Sequence, residues 1–528
     1  MSFPWLTTIG VIPLIGAFVI MLLPKASTEL AKRLAVVFSV IPLILVIAMA
    51  LQFDADSTAE FQFVESHSWI RSFGISYSVG VDGISLVLIA LSVILVPLVI
   101  LAAWNDADDA MGSVKGYFAL LLILETFMVG VFAATDVFLF YVFFEAMLIP
   151  VYFLIGRYGG PGRQYAAVKF LLYSLVGGLL MLAALIGLYV VSAQELGTGT
   201  FDFTTLTNLN IDPGTQKLLF LGFFIAFAIK APLVPFHTWL PDAAAASTPG
   251  TAVLLVGVLD KVGTFGMIKL CLPIFPAASA FYAPVIIVLC VVGILYGALL
   301  AIGQTDLKRL IAYTSISHFG FIGLGIFAMT TQGQSGSTFY MLNHGFSTGA
   351  LFLIAGFLMT RRGSRLVADY GGVYRVAPVL AGLFLIAGLS SLSLPGLSSF
   401  VSEFLVLVGT FEKYTVAAVI ATLGIVLAAI YILYLYQRTM TGPVKAGCEK
   451  MTDIKGREAL AIIPMLVLLV ALGVYPKPVL DVINPAVDRV MLQTGQRDPE
   501  PAVKPLAESG PARQEVQRVV GTVEGGAR

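Results

Sequence analysis

Apolar stretches of about twenty residues recur along nearly the whole chain, and they constrain its fold more than any other feature. A helix needs about 20 mainly apolar residues to cross the hydrocarbon layer of a membrane. Segments of that kind lie at 4–24, 31–51, 83–104, 116–135, 137–156, 167–193, 217–240, 249–272, 281–303, 309–330, 337–360, 377–411, 415–437 and 459–475. Because 58% of the 528 residues are hydrophobic and only 12% are charged, no soluble core could bury so much apolar surface. We therefore predict an all-α polytopic membrane protein with about 14 transmembrane helices.

Charge and cysteine content exclude several other classes of protein. The 31 Lys and Arg balance the 31 Asp and Glu, so no basic surface for nucleic acid is indicated. Cys271, Cys290 and Cys448 are scattered without any Cys-x-x-Cys spacing, so a zinc or iron–sulfur centre held by thiolates is not expected. We predict no metal and no cofactor on this chain.

The distribution of Lys and Arg predicts the orientation of the apolar segments, numbered 1 to 14 in chain order. The loops after odd-numbered segments, with the adjoining helix ends, carry 18 Lys and Arg, and those after even-numbered segments carry 3. Because cytoplasmic loops are rich in these residues, the first set is predicted to be cytoplasmic and the N-terminus to lie outside. An even number of segments places the C-terminus outside as well. The polar stretch 60–83 is then an outer loop whose alternating pattern favours a short hairpin.

Two of the segments are interrupted at matching places. Segment 7 contains Pro232 and Pro235, and segment 12 is broken at Pro395 and Gly396. Each interruption falls in the fourth member of a set of five segments, and five is odd, so the two sets would insert in opposite orientations. Paired interruptions in inverted halves indicate a transport pathway. The prediction is two inverted five-helix repeats, helices 4–8 and 9–13, with broken helices 7 and 12.

These patterns divide the chain into five parts. They are 1–112 with helices 1–3 and the outer hairpin loop, 113–273 and 274–440 with the two repeats, 441–476 with helix 14, and 477–528. The last part loses the apolar pattern and is predicted to be a polar C-terminal tail, and its end, 495–528, is rich in Pro, Gly and charge and is predicted to be disordered.

A few charged and titratable residues lie well inside the apolar segments. They are Glu125, Glu145, Lys230, Asp260, Lys261, His318, His344 and Glu403. An ionised group near the membrane centre costs about 2.5–3.5 kcal/mol even on a lenient scale, so such residues face the protein interior or water and mark a pathway. Two other charged residues lie near helix ends and have simpler interpretations: Lys269 can snorkel to the headgroups, and Asp136 can cap helix 5.

These residue types are sufficient for a proton path. One opposite charge about 5 Å away is worth roughly 3 kcal/mol at an effective dielectric of about 20. Movement of Glu145 away from Lys230 would therefore drive Lys230 to release its proton. Protons would then hop along Lys261 and the histidines, with Glu403 as the outward exit. The alternatives left open at this point are structural ion pairs, haem ligation by the two histidines, and interior histidines without chemistry.

Five motifs carry a resemblance to a known family. They are FFEAMLIPVYFLIGRYG, VPFHTWLPDAAAASTPG, SISHFGFIGLG, LNHGFSTGALFLIAG and LPGLSSFVSEF. With these motifs in this order, the region 80–440 resembles the antiporter-like subunits of proton-pumping NADH:quinone oxidoreductase, respiratory complex I. The resemblance implies fourteen helices, an inverted five-helix repeat with broken helices 7 and 12, and one proton channel per antiporter-like subunit.

The same motifs imply a role for each residue that they contain. Glu145 matches the family's helix-5 glutamate, Lys230 the broken-helix lysine, Lys261 the central lysine of helix 8, His318 and His344 the linking histidines, and Glu403 the terminal carboxylate. The sister subunits L and N carry a lysine where Glu403 stands, so the chain is most similar to the M type. Glu125 falls near a helix-4 glutamate of the family, with a poorer local match. The polar tail after Lys477 departs from the family pattern.

Partners and location follow from the resemblance alone. It implies two kinds of partner, which are other complex I membrane subunits of the L and N types and the subunits of a peripheral arm. NADH, FMN, the iron–sulfur clusters and quinone are expected on these partner subunits. The resemblance also implies a multi-pass protein of the bacterial cell membrane. Mrp-type cation/proton antiporter subunits share the fold and most of the motifs, and Glu403 with the helix-5 context EAMLIPVY favours complex I over them. A scaffold that pumps nothing and a chain with its own quinone site are further alternatives.

Overall fold

A computed structural model describes residues 3–108 and 113–500 and shows long helices over most of that range. The helices that match the first eight apolar segments are α1 Trp5–Leu22, α2 Thr28–Ala50, α3 Gly83–Ala102, α4 Val114–Ala133, α5 Val137–Tyr158, α6 Arg163–Leu196, α7a Pro213–Lys230, α7b Trp239–Ala246 and α8 Pro249–Ile274. The rest are α9 Pro276–Ile302, α10 Leu307–Ala328, α11 Thr331–Arg362, α12a Pro378–Ser391, α12b Ser398–Lys413, α13 Thr415–Met440, α14 Arg457–Val474 and α15 Lys477–Gln493.

Twelve helices in the described ranges are long and apolar enough to cross a membrane. They correspond to twelve of the predicted segments, and the prediction of a polytopic all-α membrane protein is confirmed. The other two predicted segments, 217–240 and 377–411, are pairs of shorter helices. The central helices α8, α10 and α11 are almost wholly buried within the chain itself, whereas α1, α2 and α13 present most of their surface outward. The titratable residues on the central helices are therefore inside the bundle.

Both predicted interruptions are present. Helix α7a ends at Lys230 and α7b begins at Trp239, with Pro232 and Pro235 between them. Helix α12a ends at Ser391 and α12b begins at Ser398. Proline lacks the N–H of a helical hydrogen bond and clashes with the preceding turn, so each break follows directly from the sequence.

The two five-helix sets share one more local feature, which supports the predicted repeat. Asp136 caps the start of α5 by accepting from the Leu139 N–H, as its position predicts, and Asp306 caps α10 by accepting from the Arg309 N–H. Beside each cap, two backbone hydrogen bonds join the start of the helix to a segment 58 to 68 residues later in the chain. They run from Val137 N to Phe201 O at 2.8 Å and from Phe203 N to Thr135 O at 3.0 Å, and from Leu307 N to Arg365 O and Val367 N to Thr305 O at 2.9 Å each.

The polar stretch 60–83 contains the predicted hairpin. Strand β1, Gln62–Ile70, pairs antiparallel with β2, Ile75–Val81. Gly74 lies in the connecting turn with a φ of 65°, a conformation that glycine adopts without strain. The hairpin packs against α1, α4 and α5, and it leads directly into α3.

The polar stretch that begins at 477 contains a helix that the sequence analysis did not predict. Residues 477–493 form α15, which packs against α3 and α11 and buries Ile483, Val487 and Val490. These residues follow the spacing of one helix face, with charged residues on the other. The prediction missed the helix because its average composition is polar and it contains two prolines. Residues 501–528 lie outside the described residues, so that part of the prediction stays untested.

The snorkelling interpretation of Lys269 is also wrong. Its Nζ lies 2.6 Å from Asp82 Oδ2 and both side chains are buried. The ammonium also lies 5.1 Å from the ring centroids of Phe61 and Phe203. The ion pair holds α8 against the start of α3, where Asp82 caps the helix.

Lys269→Ala is expected to destabilise the chain by about 3–5 kcal/mol, because it leaves the buried Asp82 carboxylate without its cation. The matched control is Lys477→Ala, which removes an exposed pair with Asp481 at 2.5 Å and is expected to cost about 0–1 kcal/mol. Thermal unfolding of the purified assembly measures both. Equal midpoints for the two variants would show that the buried pair is not important for stability.

Candidate proton pathway

Helix α8 carries a lysine to the centre of the bundle. Its helical turns at Leu255–Leu259 and Met267–Cys271 are π-helical, and irregularities of this type often occur at functional sites. Between them, Lys261 is fully buried, and its Nζ donates to the Val256 carbonyl at 2.5 Å and lies 2.6 Å from His344 Nδ1. The Phe319 ring centroid is 5.2 Å from the same ammonium.

The contact between Lys261 and His344 couples the tautomer of the histidine to the charge of the lysine. A charged Lys261 ammonium can only donate, and with it His344 Nδ1 accepts while the ring proton lies on Nε2. That nitrogen faces Ser315 Oγ at 3.1 Å. The ring is therefore arranged to take a proton from the lysine on one nitrogen and to give a proton up from the other.

Beyond His344, aromatic and titratable side chains continue to the second broken helix. The His318 ring centroid is 5.3 Å from that of His344 and 5.8 Å from that of Tyr340. Tyr340 Oη donates to Glu403 Oε1 at 2.5 Å. The Tyr431 hydroxyl lies 3.4 Å from His318 Nε2, so a second tyrosine borders the same region. All of these side chains are buried.

On the other side of α8, Lys230 and Glu145 interact electrostatically without touching. Neither Lys230 Nζ nor Glu145 Oε1 has a hydrogen-bond partner among the described residues. The ammonium lies over the rings of Phe144 and Phe170, 4.7 and 5.9 Å from their centroids. An aromatic face stabilises a cation without accepting its proton, so Lys230 is held in place while it is apart from Glu145.

The Glu145 side chain fits closely over Gly178 of α6. A Cβ atom on Gly178 would lie 1.6 Å from Glu145 Oε1 and 2.5 Å from its Cδ. Because Gly178 has no side chain, the Glu145 carboxylate can occupy the space beside it.

Gly178→Ala is expected to displace the Glu145 carboxylate and to reduce proton uptake coupled to electron transfer, with little loss of stability, because a flexible side chain moves rather than backbone. The matched control is Gly293→Ala on α9, whose Cβ would meet Val234 Cγ2 at an ordinary 3.5 Å. Proton uptake by membrane vesicles is the measurement. Normal uptake in Gly178→Ala would show that the position of Glu145 is not important.

The structure brings together five of the eight residues singled out in the sequence, on one side or the other of α8: Lys230, Lys261, His318, His344 and Glu403. Glu145 lies beside Lys230 and is half-buried at the edge of the group. Glu125 is fully buried on α4, and neither of its oxygens has a partner among the described residues. No described contact joins Glu125 to the others.

Sequence reasoning missed two tyrosines, and it left Asp260 without a role. Tyr340 lies four residues before His344, and residues with this spacing share one face of a helix, so the signal was present. Tyr431 lies in the outward-facing helix α13, and only the fold shows its proximity to His318. No group of three or more His, Cys, Asp or Glu residues in the described ranges could hold a metal ion.

Comparison with known proteins identifies the family. The family described as NADH:quinone oxidoreductase/Mrp antiporter, TM, matches residues 134–429, and the amino-terminal family of NADH-ubiquinone oxidoreductase chain 4 matches residues 11–131. NADH-quinone oxidoreductase subunit M of Mycobacterium tuberculosis is 55% identical, over 95% of this chain and 96% of its own length. The chain belongs to the subunit M family of NADH-quinone oxidoreductases. The resemblance seen in the sequence is confirmed.

More distant relatives and solved structures agree with this membership. NADH-ubiquinone oxidoreductase chain 4 of Arabidopsis thaliana is 38% identical over 91% of this chain and 95% of its own. A chain of respiratory complex I from Thermus thermophilus is 31% identical with a TM-score of 0.84, covering 93% of this chain and 100% of its own. A chain of the Mrp complex from Dietzia sp. DQ12-45-1b has a TM-score of 0.81 at 22% identity, over 93% of this chain and 98% of its own, which shows a shared fold.

Proposed function

We propose that this chain forms a proton-translocation channel in the membrane arm of NADH:quinone oxidoreductase, driven by quinone reduction on other subunits. The observation that carries the proposal is the buried contact between Lys261 and His344 at the centre of the bundle. A buried lysine that only stabilised the fold would be expected to pair with a carboxylate, as Lys269 does with Asp82. Lys261 instead contacts a histidine, whose ordinary pKa lies near neutrality and which can exchange a proton.

Glu145 and Lys230 form the gate of the channel. When Glu145 approaches, its charge stabilises the ammonium, by roughly 3 kcal/mol at about 5 Å and an effective dielectric of about 20. When Glu145 withdraws, Lys230 loses this stabilisation and releases its proton more readily. The absence of a hydrogen bond between them in this structure supports a pair that can open.

Lys261, His344 and His318 relay the proton, and Glu403 is the exit. Tyr340 extends the relay because its ring packs against His318 and its hydroxyl donates to the Glu403 carboxylate. A hydroxyl can accept one proton while it donates another, which suits it to this position. Glu403 lies in the first turns of α12b, directly after the break between α12a and α12b, and broken membrane helices of this kind occur where they line a water-filled cavity.

In this proposal the redox chemistry takes place on partner subunits. NADH, FMN, iron–sulfur clusters and quinone are expected there, and this chain contributes proton transfer only. Its neighbours in the membrane arm would be the antiporter-like chains of the L and N types. Both termini would lie on the outer side of the bacterial cell membrane, in line with the distribution of Lys and Arg.

Lys230→Ala tests the proposal in the intact complex reconstituted in vesicles. Protons taken up per NADH oxidised are expected to fall clearly below the wild-type ratio, because the gate cation is gone. Lys25→Ala, which removes an exposed lysine between α1 and α2, is the control and is expected to keep the ratio. An unchanged ratio in Lys230→Ala would favour a scaffold that pumps nothing.

A role in an Mrp-type cation/proton antiporter is the second candidate, since that complex shares the fold. Affinity purification of the native assembly separates the two. Complex I predicts flavin- and iron–sulfur-containing partners that oxidise NADH, and an Mrp complex predicts membrane proteins alone.

A further inference from the structure

Asp260 is a fully buried carboxylate that has no role in the pathway described above. It lies beside Lys261 on α8, and neither of its oxygens has a hydrogen-bond partner among the described residues. It interacts electrostatically with both Lys230 and Lys261. A buried carboxylate without hydrogen bonds is costly, so its presence needs an explanation.

The packing of α8 shows which way Asp260 faces. A Cβ on Gly263 would lie 2.4 Å from the Phe227 carbonyl oxygen and 2.6 Å from the Ala231 nitrogen, so this face of α8 contacts the end of α7a. Residues three apart share a helix face, and Asp260 therefore faces the end of α7a, where Lys230 lies. Lys261 points about 100° away around the helix, towards His344. Asp260 thus stands between the gate and the relay.

The contacts of the two lysines favour a mobile proton over a fixed ion pair. A structural pair would place an ammonium within 4 Å of the carboxylate, as in Lys269–Asp82, and no such pair involves Asp260 among the described residues. Lys261 directs its ammonium at His344 and Val256 instead, and Lys230 rests on aromatic rings. The Asp260 carboxylate interacts electrostatically with both lysines and is hydrogen-bonded to neither.

We propose that Asp260 carries the proton from Lys230 to Lys261, an inference that rests on the proposed function of the channel. In the first step the Lys230 ammonium gives its proton to the Asp260 carboxylate, leaving a neutral amine and a neutral carboxylic acid. In the second step the acid gives that proton to a neutral Lys261, which becomes an ammonium and restores the carboxylate. One proton moves one place in each step, and no other reactant is needed.

Asp260→Asn in the reconstituted complex tests the inference, since asparagine keeps the shape and cannot carry the proton. The number of protons taken up per NADH is expected to fall to the value of Lys230→Ala. The matched control is Thr264→Val, which removes a buried hydroxyl one turn further along α8 and is expected to keep the wild-type ratio. A wild-type ratio in Asp260→Asn, beside a lowered ratio in Lys230→Ala, overturns the role of Asp260 alone. Wild-type ratios in both variants overturn the channel itself.

Infrared difference spectroscopy during turnover separates a proton carrier from a permanent counterion. A carrier gives a transient band of a protonated carboxyl group that is present in the wild type and absent from Asp260→Asn. If the asparagine variant does not assemble, Asp260→Glu provides the assignment, because the band shifts with the changed side chain. A wild type that shows no Asp260 band overturns the inference even where the uptake ratio falls, because the protonation of Asp260 then does not change during turnover.

Discussion

Lys261→Ala is expected to reduce the protons taken up per NADH oxidised as strongly as any single substitution in this chain. The alanine removes the side chain that joins the Val256 carbonyl of α8 to His344 at the centre of the bundle. Asp260 would be left without the acceptor of its proton. The ratio is measured in vesicles that contain the whole complex, with a pH-sensitive dye for the protons and absorbance for NADH.

Two comparisons make the Lys261 result specific. Lys25→Ala removes an exposed lysine and should leave the ratio unchanged, and the amount of assembled complex on a native gel reports folding. Lys261→Ala with full assembly and a wild-type ratio would mean that protons do not pass the centre of this chain.

Gly263→Ala is expected to have a large effect on both stability and proton uptake. The new methyl group would lie 2.4 Å from the Phe227 carbonyl oxygen and 2.6 Å from the Ala231 nitrogen. These are backbone atoms, which cannot rotate away from the contact as the end of a flexible side chain can. Overpacking typically costs about 1–3 kcal/mol, and contacts with backbone belong at the upper end of that range. The helices α7a and α8 would be forced apart, so assembly and proton uptake should both fall.

Gly382→Ala is the matched control, because its Cβ would meet no atom within 4 Å. Its expected effect on the thermal unfolding of the complex is close to zero or slightly stabilising, since alanine favours helix over glycine. Equal unfolding temperatures for the Gly263 and Gly382 variants would show that α8 does not pack as closely on α7a as described.

Much of the fold follows from local sequence. Apolar length locates the membrane helices, and proline locates the two breaks, because both effects act within a few residues. Helix α15 was missed since its evidence is the periodicity of a few apolar residues in a polar stretch, which average composition conceals. The ion pair of Lys269 was missed because Asp82 lies 187 residues away, and sequence alone does not bring the two together.

The candidate site was only partly accessible to sequence reasoning. The high cost of burying charge makes Lys230, Lys261 and Glu403 conspicuous in apolar segments. The role of Asp260 depends on which face of α8 packs against α7a. The π-helical turn at Leu255–Leu259 changes the residue spacing just before Asp260, so a regular helical pattern does not predict that face. The link from His318 to Glu403 through Tyr340 depends on the packing of α10, α11 and α12b, which no single segment encodes.

The most direct test of a single path through this chain is the proton-to-NADH ratio of the Lys230→Ala, Lys261→Ala double variant in the reconstituted complex. Residues that act in series on one path lose the same function, so their effects do not add. The account predicts that the double variant takes up as many protons per NADH as either single variant, and fewer than the wild type. A double variant that loses the sum of the two single losses, or single variants with the wild-type ratio, would contradict it.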